Sequence, residues 1–186
     1  MKANKGLLLV LVLVIILGFN VQAFATDFFL YATGTPEEIQ KALAQGADVN
    51  ARDNEYGWTV LIYAAAFNRN PEVIITLLKA GADVNARDST NKSTALMKAT
   101  MYNQNQEVVT ALIKAGADVN ARDKDGKTAL MYAAEKNQNP GVITTLLKRG
   151  ANAKIVDNNG KKAIDYAEKN EIFKGSNAYW ELNDAS

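Results

Sequence analysis

Eight letters, GADVNARD, stand at 46–53, at 81–88 and again at 116–123. The glycines that open these copies, and the degenerate copy GANAKIVD at 150–157, lie 35, 35 and 34 residues apart. A fixed period of this size constrains a chain more than any local pattern. It demands near-identical supersecondary units, none of which can hide its apolar face except against the next. The period therefore predicts a stacked solenoid rather than one closed core.

Each unit carries two short helical patterns and a turn. The later pattern is clearest in PEVIITLLKAG (71–81), QEVVTALIKAG (106–116) and PGVITTLLKRG (140–150). Val73, Ile74, Leu77 and Leu78, and equally Val108, Val109, Leu112 and Ile113, line one helical face with branched apolar side chains. Asn70, Asn105 and Asn139 are placed as N-caps, with Pro71 and Pro140 at the first helical position. Gly81, Gly116 and Gly150 supply the left-handed residue that stops the helix. The earlier helix opens at Thr59, Thr94 or Thr128 in TVLIYAA, TALMKAT and TALMYAA. Ala64, Ala65, Ala99 and Ala133 let the two helices approach, while Leu61, Leu96 and Leu130 fill the layer between them. Asn68, Asn103 and Asn137 are expected to end this helix as residues that tolerate positive φ.

The stretches GWTVLIYAA, GKTALMYAA and GADVNARD resemble the ankyrin repeat, whose unit has a period of 33, a T-P-L-H-x-A signature and two helices plus a turn. The resemblance covers nearly all of 27–183, in the manner of an exported, bacterial-type member. It implies an all-α solenoid of about five helix-turn-helix units with hairpin-like finger loops. The units are expected at about 26–57, 58–92, 93–126 and 127–160, with a C-terminal cap at 161–186. The chain departs from the pattern where Val60, Ala95 and Ala129 replace the proline and Ile62, Met97 and Met131 the histidine. Apolar packing is expected in place of a polar network there.

Terminal units of a solenoid must differ from inner ones. PEEIQKALAQG (36–46) puts Glu38 and Ala42 where Val73 and Leu77 stand, and Thr35 with Glu38 writes a capping box. At the far end AIDYAEKN (163–170) imitates a first helix and Ser176 caps a final one. Tyr179, Trp180 and Leu182 on that helix are expected to close the last layer. Residues 1–25 read as a secretory signal peptide that is cleaved: Lys2 and Lys5, an unbroken apolar run from Leu7 to Leu17, then Ala23-Phe24-Ala25. The apolar run is shorter than a bilayer-spanning helix needs. The mature chain is thus expected outside the cytoplasm, periplasmic or secreted, as a monomer with no stable membrane insertion.

Composition narrows the chemistry. There is no histidine and no cysteine, which removes the commonest general base, the thiolate and most transition-metal sites. Without Lys2 and Lys5 the 21 basic residues become 19 against 20 acidic ones, a net of −1 that predicts no affinity for nucleic acid. Asp123-Lys124-Asp125-Gly126 lacks the acids an EF-hand loop needs at its ends and reads as a hairpin turn. The expectation is a non-enzyme with no cofactor and no metal.

The resemblance implies a protein partner, docked on the concave side at finger tips and first-helix ends. The fingers offer Arg52, Glu55, Tyr56, Trp58, Arg87, Asn91, Arg122, Lys124 and Lys127; the helix ends offer Phe67, Met101, Tyr102 and Lys136. Trp58, Phe67 and Tyr102 are the expected anchors, aromatic residues being favoured at interface hot spots. Arg52, Arg87 and Arg122 form a row one repeat apart, for which pairing with Asp53, Asp88 and Asp123 is an alternative to ligand contact. An inhibitor or immunity-type protein that blocks an enzyme or toxin with the same face is the second reading, and a small-molecule carrier a third.

Overall fold

The computed structural model describes residues 22–186, with side chains described from Phe28 onward. The leader expected at 1–25 lies outside the described residues except for its last four positions, which begin the first helix. Ten helices stand among the described residues, in five consecutive pairs. They are α1 (Gln22–Thr33) with α2 (Pro36–Ala44), α3 (Val60–Phe67) with α4 (Pro71–Lys79), and α5 (Ala95–Tyr102) with α6 (Gln106–Lys114). Then come α7 (Ala129–Lys136) with α8 (Pro140–Lys148), and α9 (Ala163–Ala167) with α10 (Asn177–Ala185). First helices stack on first helices, α1 to α3 to α5 to α7 to α9, and second helices stack likewise. The all-α repeat fold is as expected.

Local signals place the helix borders. Thr59, Thr94 and Thr128 each accept the backbone amide three residues on, at 3.2 to 3.4 Å. Asn70, Asn105 and Asn139 accept the amide two residues on at 2.9 to 3.0 Å. Gly81, Gly116 and Gly150 take φ of +94°, +91° and +90°. Val73, Ile74 and Leu77, and their counterparts in α6 and α8, are fully buried, whereas Leu78 and Ile113 are only half-buried. Each buried branched side chain contributes about 1.5–3 kcal/mol. Ile62, Met97 and Met131 are buried too, so the first helices are apolar where the family signature is polar.

The asparagines that end the first helices do so for a different reason than expected. Asn68, Asn103 and Asn137 have φ of −80°, −99° and −70°, all in extended backbone. Their side chains hold neighbouring units instead. Asn103 Nδ2 donates to the carbonyls of Ala65 and Asn68 in the preceding unit at 3.1 and 2.7 Å, and its Oδ1 accepts Asn105 N at 3.0 Å. Asn137 repeats this on Thr100 and Asn103, Asn68 on Tyr31 and Gly34, and Asn170 on Ala134 and Asn137. The result is a ladder of buried amides in which every unit holds the one before it.

A second ladder runs the other way along the turns. Asn50, Asn85 and Asn120 donate forward to the carbonyls of Gly81, Gly116 and Gly150 at 3.0 to 3.2 Å. Arg52 donates to Gly57 O in its own finger and to Arg87 O in the next; Arg87 does the same to Lys92 and Arg122, and Arg122 to Gly126 and Val156. The arginines are therefore bonded to backbone carbonyls, and the expected pairing with Asp53, Asp88 and Asp123 does not form.

The fingers are short hairpins, with isolated antiparallel bridges Arg52–Thr59 and Arg87–Thr94. Tip to tip they are joined by backbone bonds: Ser89 N to Tyr56 O, Lys124 N to Asn91 O and Asn158 N to Asp125 O, at 2.9 to 3.0 Å. At the C-terminal end Phe173, Ala178 and Leu182 are buried and Tyr179 is half-buried, but Trp180 is 56 % exposed and does not close the layer. Its ring meets Tyr179 edge-on at 5.4 Å. Ser176 caps α10, and Thr35 with Glu38 forms the capping box of α2.

Candidate functional site

The finger face is organised by one aspartate per unit. Asp53 Oδ1 accepts the amides of Glu55, Tyr56 and Gly57, and its Oδ2 accepts Trp58 N at 3.0 Å. Asp123 Oδ1 accepts Asp125 and Lys127, and Asp157 Oδ1 accepts Asn159 and Lys161, all at 2.8 to 2.9 Å. A carboxylate with several amide donors holds a tight turn open at its tip.

The second oxygen of each aspartate meets a residue of the following first helix. Tyr132 Oη donates to Asp123 Oδ2 at 2.5 Å, and Tyr166 Oη donates to Asp157 Oδ2. Tyr63 stands in the same place in its own unit, where the charge of Asp53 acts on its phenol. Burial and the neighbouring carboxylate raise all three phenols above their ordinary value, burial being the larger effect. Asp157 is lowered: burial pushes it up, but the bond from Tyr166 and the amides of Lys161 and Asn159 outweigh this.

Lys98 replaces the tyrosine in the middle unit. It is 8 % exposed, its Nζ lies 3.1 Å from the fully buried Asp88 Oδ2, and it sits 4.8 Å from the centre of the Trp58 ring. An ion pair and a cation–π contact thus converge on one ammonium. Ser93, whose amide donates to Asp88 Oδ1 at 3.3 Å, has its Oγ buried without a partner among the described residues.

Trp58 belongs to a continuous run of rings. Its centroid is 5.1 Å from Tyr63, 6.2 Å from Tyr56 and 6.1 Å from Phe67, while Phe67 lies 5.9 Å from Tyr102. Trp58–Phe67 and Phe67–Tyr102 are stacked, at 22° and 29° between planes. Phe28 from α1 extends the run through Tyr63 at 4.9 Å. Tyr56, Phe67 and Tyr102 are 43 %, 49 % and 52 % exposed; Trp58, Tyr63 and Met101 are half-buried against the core. The three expected anchors are brought together.

The remaining expected residues divide. Glu55 and Lys124 are exposed, and Lys136 has a side chain 55 % exposed with Glu135 at 3.9 Å. Lys127 is bonded to Glu135 at 2.8 Å and lies over the rings of Tyr132 and Tyr166 at 5.4 and 4.3 Å. Burial alone would lower its pKa, but Glu135 raises it on balance. Asn91 is turned inward, its Nδ2 donating to Asp123 Oδ2 at 2.9 Å. Arg52, Arg87 and Arg122 belong to the carbonyl ladder. Sequence reasoning missed Tyr63, Lys98 and the aspartate sockets; the signal was an aspartate nine or ten residues ahead of Tyr63, Lys98, Tyr132 and Tyr166.

No group of three or more carboxylates able to hold a metal ion occurs among the described residues. A shallow groove between α2 and α4, lined by Glu37, Gln40, Leu43, Ile75 and Lys79, shares no residue with the ring run. No described helix is long and apolar enough to cross a membrane. A family model described as ankyrin repeats (3 copies) matches residues 11–123, 65–157 and 96–176. No curated protein matches the chain in sequence.

Proposed function

Because the chain belongs to the ankyrin repeat family, whose members are generally protein–protein interaction modules, we propose that it is a non-catalytic scaffold that binds a partner protein through finger tips and first-helix ends. One observation carries the reading. In α7 the position of Phe67 and Tyr102 is filled by Lys136, and α7 stacks as the other first helices do. The fold does not need an aromatic ring there, yet two consecutive units expose one, stacked on the other and continuous with Trp58. Exposed aromatic residues with half-buried neighbours are what interface hot spots are made from.

Phe67→Ser with Tyr102→Ser is the direct test, since both rings are about half exposed. Trp58 stays in place because its ring also packs on the core. The double variant is expected to keep its melting temperature within about 4 °C and to lose at least about tenfold in capture of its partner, some 1.4 kcal/mol. Equal capture by the variant and the unaltered chain overturns the assignment.

We also place the binding outside the cytoplasm, on the strength of the leader-like residues 1–25. N-terminal sequencing of the exported chain should begin at Thr26; an exported chain that still begins at Met1 refutes cleavage.

A further inference from the structure

The chemistry of the partner follows from how the fingers differ, on the footing of the binding reading above. The first finger exposes Glu55 and Tyr56. Each of the next three exposes a lysine: Lys92, Lys124 and Lys161. None of these three has a carboxylate within ion-pair distance among the described residues.

The aspartates of the same face are committed elsewhere. Asp88, Asp123 and Asp157 are buried, holding finger amides and a side chain of the following helix. Glu135 is shared between Lys127 and Lys136. Asp125 is the exposed acid that remains on these finger tips. The face thus changes character along the stack, from stacked rings in the units of α3 and α5 to solvent-facing ammonium groups from Lys92 onward.

We infer that the occupant is a protein segment that is apolar at one end and acidic at the other, with its apolar residues on Trp58, Phe67 and Tyr102 and its carboxylates toward Lys124 and Lys161. Neighbouring packed helices lie about 8–10 Å apart, so roughly 16–20 Å separate the ring platform on α3 from the unit of α7, whose finger carries Lys124. An extended segment covers that in about five or six residues. Lysines that stay hydrated at a rim steer a partner and set its register more than they add to affinity. A nucleic acid fits less well, because the finger of the unit that supplies Trp58 and Phe67 carries Glu55 at its tip and no lysine.

The chain has two tryptophans, so in a Trp180→Phe background the emission of Trp58 reports on this site alone. The probes are synthetic peptides of about 14 residues, long enough to span the platform and the lysines in extended form. One has a Leu/Phe half and an Asp/Glu half, and its match has lysine for every acid. The acidic peptide is expected to bind about tenfold tighter at low salt, an advantage that shrinks as ionic strength rises. Lys92→Glu with Lys124→Glu and Lys161→Glu should erase the preference without changing the melting temperature.

Binding of the lysine peptide as tightly as the acidic one, still abolished by the Phe67 and Tyr102 changes, overturns the charge inference and leaves the binding face standing. Binding indifferent to Phe67 and Tyr102 removes the face itself. A tighter response to oligothymidylate than to either peptide assigns the platform to single-stranded nucleic acid instead. No response of Trp58 to any probe overturns the inference, and the capture experiment then decides the broader reading.

Discussion

Lys98 shows what one residue does when it breaks a repeat. Two units donate a tyrosine hydroxyl to the finger aspartate, a third places Tyr63 beside Asp53, and the middle unit pairs an ammonium with the buried Asp88. Lys98→Met should cost about 3–5 kcal/mol, because it leaves a buried carboxylate without its partner. Lys98→Tyr restores the donor used by the sibling units and should stay within about 1.5 kcal/mol of the unaltered chain. Urea unfolding separates them, and equal losses from both would mean that the pair to Asp88 is not what matters. Asn103→Ala strips partners from the carbonyls of Ala65 and Asn68 and the amide of Asn105, with an expected cost of about 3 kcal/mol. A substitution costing less than about 1 kcal/mol, the size of an exposed bond, would remove the ladder from the account. The letter at 103 was visible from the repeat, but its job was not. An asparagine after a helix suits either a left-handed turn or a side-chain bond, and only the carbonyls of the unit before it decide.

At the scale of the element, helices were legible and fingers were not. A helix border is written within four residues, so Thr59, Asn70, Pro71 and Gly81 disclose it alone. A finger is held by bonds spanning 31 to 35 residues, such as Asn50 to Gly81 and Arg52 to Arg87, which no local window contains. Hence Arg52, Arg87, Arg122 and Asn91 looked free for a partner when they hold the stack. Gly81 and Gly126 illustrate the difference. Both have positive φ, but a Cβ on Gly81 would meet nothing within 4 Å, whereas one on Gly126 would lie 2.6 Å from Asn158 Oδ1 and 2.7 Å from Arg122 Nη2. Gly81→Ala should cost about 1–2 kcal/mol from backbone strain alone. Gly126→Ala should cost more, since it also pushes the fourth finger from the third. Thermal unfolding of the two variants checks the order, and the reverse order would show that the tips are not coupled.

For the whole molecule, titration behaviour follows from the face. The raised phenols of Tyr63, Tyr132 and Tyr166 contribute stability that is complete below the unfolded value near 10 and lost as pH rises through the higher folded values. The lowered Asp157 contributes above about pH 4 and loses that contribution as pH falls through its folded value. With no histidine in between, the melting temperature should be flat from about pH 5 to 9 and fall on both sides. A step between pH 6 and 8 would contradict this. Finally, the outermost copies of the repeat lack the donors their siblings carry. Lys154 and Val156 stand where Asn85 and Arg87 reach forward, and Thr33, bonded to its own helix at Phe29 O, stands where Asn68 reaches back. An open-ended array whose tips kept those groups would be a template for adding copies of itself without limit. Here the outward-reaching groups are absent from both outermost described copies, so a further copy of the repeat would meet no side chain placed to bond it there.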